Sequence, residues 1–435
     1  MKKKPNPAPV KNQKLTLIAM SVLIVLLAGV LIGVLVFMKN QPIETRGVPT
    51  IVAVAPLEPD SSQWGINYPN QYTTLLQTEF NNTRTTYGGS EPFSKLEEDP
   101  RLLQLFAGYS FSKEYNEERG HWNALTDVRA TDRLSDKTPG TCYSCKSSNN
   151  PQLWAEMGMQ AYDEMPFAQL GEQITEPIGC ANCHEAGTMR LVVTNPALET
   201  ALVAQGLDWQ TFTRQEMRTI VCANCHVEYY FDGPSNLLTF PWTNGTTIED
   251  IEAYYAEDGH VDWTHPVSGT EMIKMQHPDY ELFSAGSTHY EAGVACADCH
   301  MPYTRDGAVK FSTHDVHSPL FNPASTCGTC HTDVDYVVGR VEEIQNQVHQ
   351  TMIAAEDAIV AAINTISAAA ATDGVDAEKL AEARQLHRLA QLRWDFIAAE
   401  NSMGFHNPEE TLRILATSID YARQAQILAM EAMGK

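Results

Sequence analysis

Cys142-Tyr143-Ser144-Cys145-Lys146 is the stretch on which the reading of this chain turns. A Cys-x-x-Cys pair followed by His is the attachment pattern of c-type haem: two thiols bond the porphyrin and the His binds its iron. Four other stretches complete that pattern: Cys180, Cys183 and His184; Cys222, Cys225 and His226; Cys296, Cys299 and His300; Cys327, Cys330 and His331. The stretch at 142 carries Lys146 where the His belongs. Either Lys146 replaces His as an axial ligand, or this pair does something else.

All ten cysteines fall into these five pairs, so none is left over for a disulfide framework of the kind exported proteins often carry. Zinc fits poorly, because no second Cys pair lies close enough to complete a four-cysteine site and a His follows four of the pairs directly. The arithmetic predicts five covalently bound c-type haems. The first cysteines stand at 142, 180, 222, 296 and 327, an uneven spacing that argues against a tandem repeat.

The chain has 435 residues and a net charge of -24, which excludes a nucleic-acid partner in any ordinary sense. Residues 15–38 carry no charge and are almost wholly apolar, long enough as a helix to cross a bilayer core of about 30 Å. Lys2, Lys3, Lys4, Lys11 and Lys14 precede this run, while only Lys39 and Arg46 follow closely. The positive-inside rule then predicts a basic cytoplasmic tail (1–14), a transmembrane anchor (15–38) and an extracytoplasmic remainder on the periplasmic side. A cleaved signal peptide is the alternative; against it, the run is longer than a usual signal core and no clear small-x-small site follows.

A linker rich in Pro, Ser and Thr is expected over 39–65, a haem-bearing catalytic region over 66–338 and a long-helix region over 339–435. The fold class is mainly α, with little sheet, a core packed around haem and long C-terminal helices. Short helices are expected at 208–219 and 247–257. Long ones are expected at 341–371 and 377–400, broken by Thr372-Asp373-Gly374, and from Asn407-Pro408 towards Met433, where Asn caps and Pro opens the first turn. These helices either pack on the haem region or also form a dimer interface.

Fourteen histidines are present, and four of them follow Cys pairs. A haem that only carries electrons needs a second strong ligand. The candidates are His121, His260, His265, His277, His289, His314, His317, His349, His387 and His406. His349 and His387 lie in helical repeats and fit packing or surface roles. A lysine amine is a σ-donor without a π system, so a lysine-bound haem with no distal His has a side open to substrate. One odd haem among five reads as a catalyst with wires. A pure electron-transfer cytochrome without a substrate site is the competing reading.

The residues resemble the pentahaem, ammonia-forming cytochrome c nitrite reductases over about residues 65–430. Cys142-x-x-Cys145-Lys146 resembles the active-site haem motif of that family. Cys225-His226-Val227-Glu228-Tyr229 resembles the third motif with the catalytic tyrosine after it. Lys274-Met275-Gln276-His277-Pro278 resembles the stretch with the catalytic histidine, and Arg119-Gly120-His121 through Arg133 the segment with a distal ligand and the substrate arginine. The resemblance implies reduction of nitrite to ammonium at a haem on Lys146, with Arg133, Tyr229 and His277 on its open face and Arg129 as the alternative arginine. It implies distal partners His314 for His184, His121 for His226, His406 for His300 and His289 for His331, with His317 the alternative to His314.

It further implies a calcium ion held by Glu228, Gln276 and the carbonyls of Tyr229 and Lys274, a homodimer, and a membrane quinol-oxidising multihaem cytochrome as electron donor. His277, titrating near neutral pH, would be the proton donor. A hydroxylamine- or sulfite-reducing relative is the other enzyme reading. The haem count has a direct check: under denaturing conditions the intact mass should exceed that of the polypeptide by five haem masses, and a zinc-loaded, haem-free chain would rule this reading out.

Overall fold

The longest apolar faces of the chain lie near its C-terminus, and they set the architecture. In the computed structural model, which describes residues 11–40 and 51–434, three long helices run over Val334–Ala370, Ala377–Ala398 and Pro408–Ala432. Asp333, Asp376 and Asn407 cap their N-termini, each side chain accepting a backbone N–H of the first turn, and Pro408 takes the first helical position of the third. Gly374 turns the chain between the first two with a φ of 73°, and Asp376 N ties that turn to Ala432 O at 3.0 Å.

At one end the three helices meet through small residues: Ala362, Ala369, Ala383, Ala425 and Ala429 are buried around Ile366 and Leu380. Towards the other end larger side chains take over. Val348, Ile359, Ile363, Ile414 and Leu415 join Phe106, Trp263, Met275 and Trp394 in one core that reaches into the middle of the chain.

The first long helix starts at Val334, earlier than the sequence suggests, three residues after His331. Its length and composition would suit a membrane span, yet 44 % of its most apolar window is buried against the protein, as in a core helix. Residues Lys11–Asn40 form a separate helix whose apolar side chains over Leu15–Val34 are all exposed. Residues 1–10 and 41–50, which include most of the expected basic tail and part of the expected linker, lie outside the described residues.

Sheet is sparse, as expected. Among the described residues there are three two-stranded antiparallel ribbons, pairing Tyr230–Asp232 with Leu237–Thr239, Trp263–Thr264 with Glu271–Met272, and Tyr303–Asp306 with Val309–Ser312. The expected helix over 208–219 is divided. Asp208 caps a short turn at Trp209–Thr211, and a capping box between Thr213 and Glu216 starts a new helix at Arg214–Ile220. The end of the expected linker is folded as well: Ser61–Gly65 is helical and Trp64 is buried, its indole N–H donating to Glu58 O at 2.9 Å.

One buried ion pair ties the helical region to the segment that carries His277. Lys274 Nζ lies 2.8 Å from Asp395 Oδ1, both side chains being almost fully buried, and Met275 N donates to Asp395 Oδ2 at 2.9 Å. Breaking such a pair by removing one partner costs about 3–5 kcal/mol, because the other charge is left uncompensated. Asp395→Ala should therefore lower the midpoint of thermal unfolding, followed by far-UV circular dichroism, far more than Asp357→Ala on the exposed face of the first long helix.

Candidate active site and haem sites

Each attachment pair folds as one tight turn. The N–H groups of Cys183 and His184 donate to Cys180 O at 3.1 and 3.0 Å. Those of Cys225 and His226 reach Cys222 O at 3.1 and 2.9 Å, and those of Cys330 and His331 reach Cys327 O at 3.1 and 2.9 Å. Cys296–His300 is a single helical turn. Residues at i, i+3 and i+4 share a face of such a turn, so both sulfurs and the following side chain point the same way. All ten cysteines are free of disulfides.

The turn at Gly140–Tyr143 continues to Lys146, whose N–H donates to Tyr143 O at 2.9 Å. Asn150 braces it from behind, its Nδ2 donating to Tyr143 O (2.8 Å) and Ser144 O (2.9 Å) while its Oδ1 accepts from the Tyr162 hydroxyl (2.8 Å). Gly140 is required by the close approach: a Cβ there would sit 2.7 Å from Tyr162 O and 2.8 Å from Met165 O.

Rings from distant parts of the chain face the motif histidines. His314 stands 6.2 Å from His184 (ring centres), His406 6.4 Å from His300 and His289 6.4 Å from His331. Two imidazoles on opposite sides of one metal, each with nitrogen about 2.0 Å from it, have ring centres about 6.3 Å apart. These pairs fit an iron between them. Four of the Nδ1 atoms at these sites are occupied in the way metal-binding histidines require: His184 with Met189 O (2.9 Å), His300 with His317 O (3.1 Å), His314 with Ser312 O (3.0 Å) and, at the third motif, His226 with Asp279 Oδ2 (3.0 Å). His317 thus serves His300 through its carbonyl, and its ring pairs with Asp315 at 3.1 Å.

Two rings approach His226. His277 lies 6.5 Å away at 62°, and His121 is buried next to it, driven down to about 4 by burial and then by the His226 charge. The motifs adjoin one another: Cys145 interacts with Cys225, Cys222 with Cys296, and Cys299 with Cys327. The first, third, fourth and fifth turns thereby form a connected series. His349 and His387 do not approach the motifs' histidines: His349 packs on Tyr87 at 4.9 Å, and His387 is buried with Nδ1 2.9 Å from Thr270 Oγ1.

Arg133, Tyr229 and His277 converge on the turn that carries Lys146. Tyr229 interacts with Cys145, Cys142 and Arg133; burial, then those thiols, push its phenol well up, so it stays protonated. Arg133 lies over the Phe111 ring at 4.3 Å and its Nε donates to Thr131 Oγ1 at 3.1 Å. Phe111 stacks on Tyr109 (5.8 Å, 7°), which stacks on Trp263 (4.5 Å, 18°), so an aromatic wall places the guanidinium. Arg129 is committed elsewhere, donating to Gly171 O at 2.9 Å and Ile174 O at 2.7 Å.

Burial drives His277 down to about 4, with Lys146 and His226 adding to the fall and Glu118 and Asp279 opposing it. The imidazole is therefore neutral at pH 7, which differs from a group titrating near neutrality; removal from water is the cause.

Glu228 is fully buried. Its Oε1 accepts from the Tyr255 hydroxyl at 2.8 Å and its Oε2 from Gln276 N at 2.6 Å, while Gln276 Nε2 reaches Lys274 O at 3.1 Å. Burial pushes the Glu228 carboxyl well above the carboxylate range, and the neighbouring Glu281 adds to this. A buried acid, an amide and a carbonyl in contact make an oxygen-donor set that fits a hard divalent cation such as calcium. The Lys274 side chain turns away to Asp395 and lies over the Phe111 ring at 4.9 Å, leaving its carbonyl for this cluster.

Sequence reasoning passed over Tyr109, Glu118, Asp279 and Glu400. Tyr109 and Glu118 carry no motif and come to the site only through the fold. Asp279 did have a signal, standing two residues after His277 and directly after the stretch Lys274–Pro278.

Comparison with known proteins places the chain in a family. The family model for cytochrome c552 matches residues 60–435. Cytochrome c-552 of Parabacteroides distasonis is 39 % identical over 407 residues, covering 92 % of this chain and 80 % of that protein. Cytochrome c-552 of Bacteroides fragilis is 38 % identical over 400 residues, covering 88 % and 79 %. Among solved structures, the catalytic subunit of cytochrome c nitrite reductase from Desulfovibrio desulfuricans, described with two calcium sites, superposes with a TM-score of 0.84 at 36 % identity, covering 88 % of each chain. The chain belongs to the cytochrome c552 family, and its fold is the mainly helical multihaem cytochrome fold of that structure. It is thus a c-type cytochrome, a redox protein.

Proposed function

We propose that this chain reduces nitrite to ammonium at a haem attached to Cys142 and Cys145 and ligated by Lys146, fed by four haems with two histidine ligands each. The observation that carries the proposal is the convergence of Arg133, Tyr229 and His277 on that one turn, in a chain that superposes on a nitrite reductase over most of its length. The histidine pairs at 6.2–6.4 Å and the adjoining motifs support the wiring. His121 is assigned to His226, and His277 to the substrate side, because His277 follows directly on the oxygen-donor cluster of Lys274 and Gln276.

Bound there, the haem would supply the iron that takes the anion and the electrons that reach it from the other four. Turning nitrite into ammonium and two waters consumes six electrons and eight protons. Arg133 stays cationic and offers forked donors to the anion's oxygens. Tyr229, held protonated, donates a hydrogen bond as oxygen is replaced by hydrogen. His277 presents an N–H to the oxygen that must leave, where charge develops. The Glu228, Tyr229, Lys274 and Gln276 cluster, holding calcium, would fix the segment that carries His277 and the loop that carries Tyr229.

The exposed apolar helix at Leu15–Val34 supports attachment to the cytoplasmic membrane with the cytochrome on the periplasmic side. There a membrane quinol-oxidising multihaem cytochrome would be the electron donor. The three long helices would form the face of a homodimer.

Purified protein with reduced viologen should produce ammonium from nitrite; a chain that takes electrons but leaves nitrite unchanged is an electron-transfer cytochrome instead. His277→Asn should keep all five haems and lose about 10²–10⁴-fold in turnover, the usual contribution of a positioned proton donor. A normal rate would remove the role, and loss of one low-spin haem signal would make His277 an axial ligand.

Lys146→His should still attach five haems while nitrite turnover falls steeply. Imidazole would alter donation to the iron and shift the haem against Arg133, Tyr229 and His277. Stopped-flow reduction of the remaining haems should be unchanged, and a native ammonium yield would make the lysine incidental.

A further inference from the structure

Asp279 occupies a place that the reaction chemistry described above does not use. Its carboxylate is 7 % exposed and stands between histidines of two neighbouring attachment sites. Oδ2 lies 3.0 Å from His226 Nδ1, and Oδ1 lies 3.5 Å from His406 Nδ1, the ring that faces His300. Asn401 clamps it, the backbone N–H donating to Oδ1 at 2.8 Å and the side-chain amide to Oδ2 at 2.9 Å. The third and fourth motifs also touch directly through Cys222 and Cys296.

The contrast with the other histidines is chemical. His184 and His300 give their Nδ1–H to backbone carbonyls, which are neutral acceptors. His226 and His406 face carboxylates. His406 has a second one, Glu400, whose Oε2 lies 3.2 Å from Nδ1 and is itself held by Ser402 N at 2.8 Å and Ser402 Oγ at 2.7 Å. An anionic acceptor behind an imidazole increases electron donation through the ring and favours the oxidised metal.

We propose that Asp279 is a shared positioning residue: one carboxylate that accepts the hydrogen bond of His226, stands against the imidazole of His406 at the neighbouring His300 site, and lowers both reduction potentials together. Because one charge acts on both sites, removing it moves both potentials in the same direction. The proposal rests on the haem reading above and extends it to a residue that never touches substrate. Asp279 also donates its backbone N–H to His277 O at 2.7 Å, so the same residue sets the wire on one side and the substrate strand on the other.

The test is a redox titration of the five-haem protein, followed by electron paramagnetic resonance. This technique separates low-spin haems by the angle between their ligand planes, here 35° for His184 with His314, 66° for His300 with His406 and 84° for His289 with His331. In Asp279→Asn both affected haems should become easier to reduce, each by about tenfold in the oxidised-to-reduced ratio at fixed potential, or about 59 mV for one electron. The His184 and His331 haems should not move. Glu400→Gln should shift the His406 haem alone, by a similar factor, because Glu400 faces His406 and not His226.

A five-haem Asp279→Asn protein in which neither haem or only one shifts overturns the proposal. If that variant does not accumulate, Glu400→Gln decides it: a His406 haem that does not move would show that a carboxylate beside this imidazole does not set its potential, and the proposal fails. A wild-type protein lacking haem would remove the haem reading itself, which is a different result from five haems with unmoved potentials.

Discussion

The buried pair of Lys274 and Asp395 is the joint between the helical bundle and the chemistry. Asp395 grips the Lys274 ammonium and the Met275 N–H at once, so the second long helix fixes the Lys274–His277 segment in side chain and backbone. That segment then carries Gln276 to Glu228 and His277 to the Lys146 side, and leads into the short helix that brings Asp279 to His226. Taking two charges out of water is costly, and the low dielectric that imposes the cost also makes the pair selective for one geometry. A loop on the surface could not hold three such assignments within six residues.

Much of this was legible in the sequence, because attachment turns are local. Cys-x-x-Cys followed by a ligand needs only one turn of chain, and five of them consume all ten cysteines. The long helices were legible through their breaks and caps, Thr372-Asp373-Gly374 and Asn407-Pro408, since those residues act on their immediate neighbours. Boundaries were read less well where tertiary packing decides them. The helix at Val334 begins ahead of its apolar periodicity because Asp333 caps it, and the stretch before residue 65 has linker composition yet folds because Trp64 is buried. The Thr213–Glu216 capping box that divides the expected helix over 208–219 was in the sequence and was outweighed by the helical pattern around it.

Partnerships between distant histidines were not legible from spacing at all; only the resemblance to a family suggested them. Nothing in the segment around His314 identifies His184 as the ring it faces, and His317, three residues on, has the same composition and a different task. The same limit applies to burial. His277 looks like any histidine able to titrate near neutrality until the fold removes it from water and places it between Glu118 and Lys146. The acidic whole and the cationic site are likewise separate facts: a chain of net charge -24 still sets Arg133 on an aromatic wall with no carboxylate bonded to it, among the described residues, to neutralise it.

The contact between Asp279 and His406 has a temporal side. A ribosome makes the five attachment turns long before it makes residue 406, and chains fold from the N-terminal end as they emerge. The turns are self-contained, but the neighbourhood of His226 is completed only when Asn401, Glu400 and His406 arrive and the last long helix docks behind them. Contacts of such wide sequence separation form late and slowly. A nascent chain interrupted between residues 331 and 400 would therefore own every cysteine it needs and still lack the groups that complete the surroundings of His226.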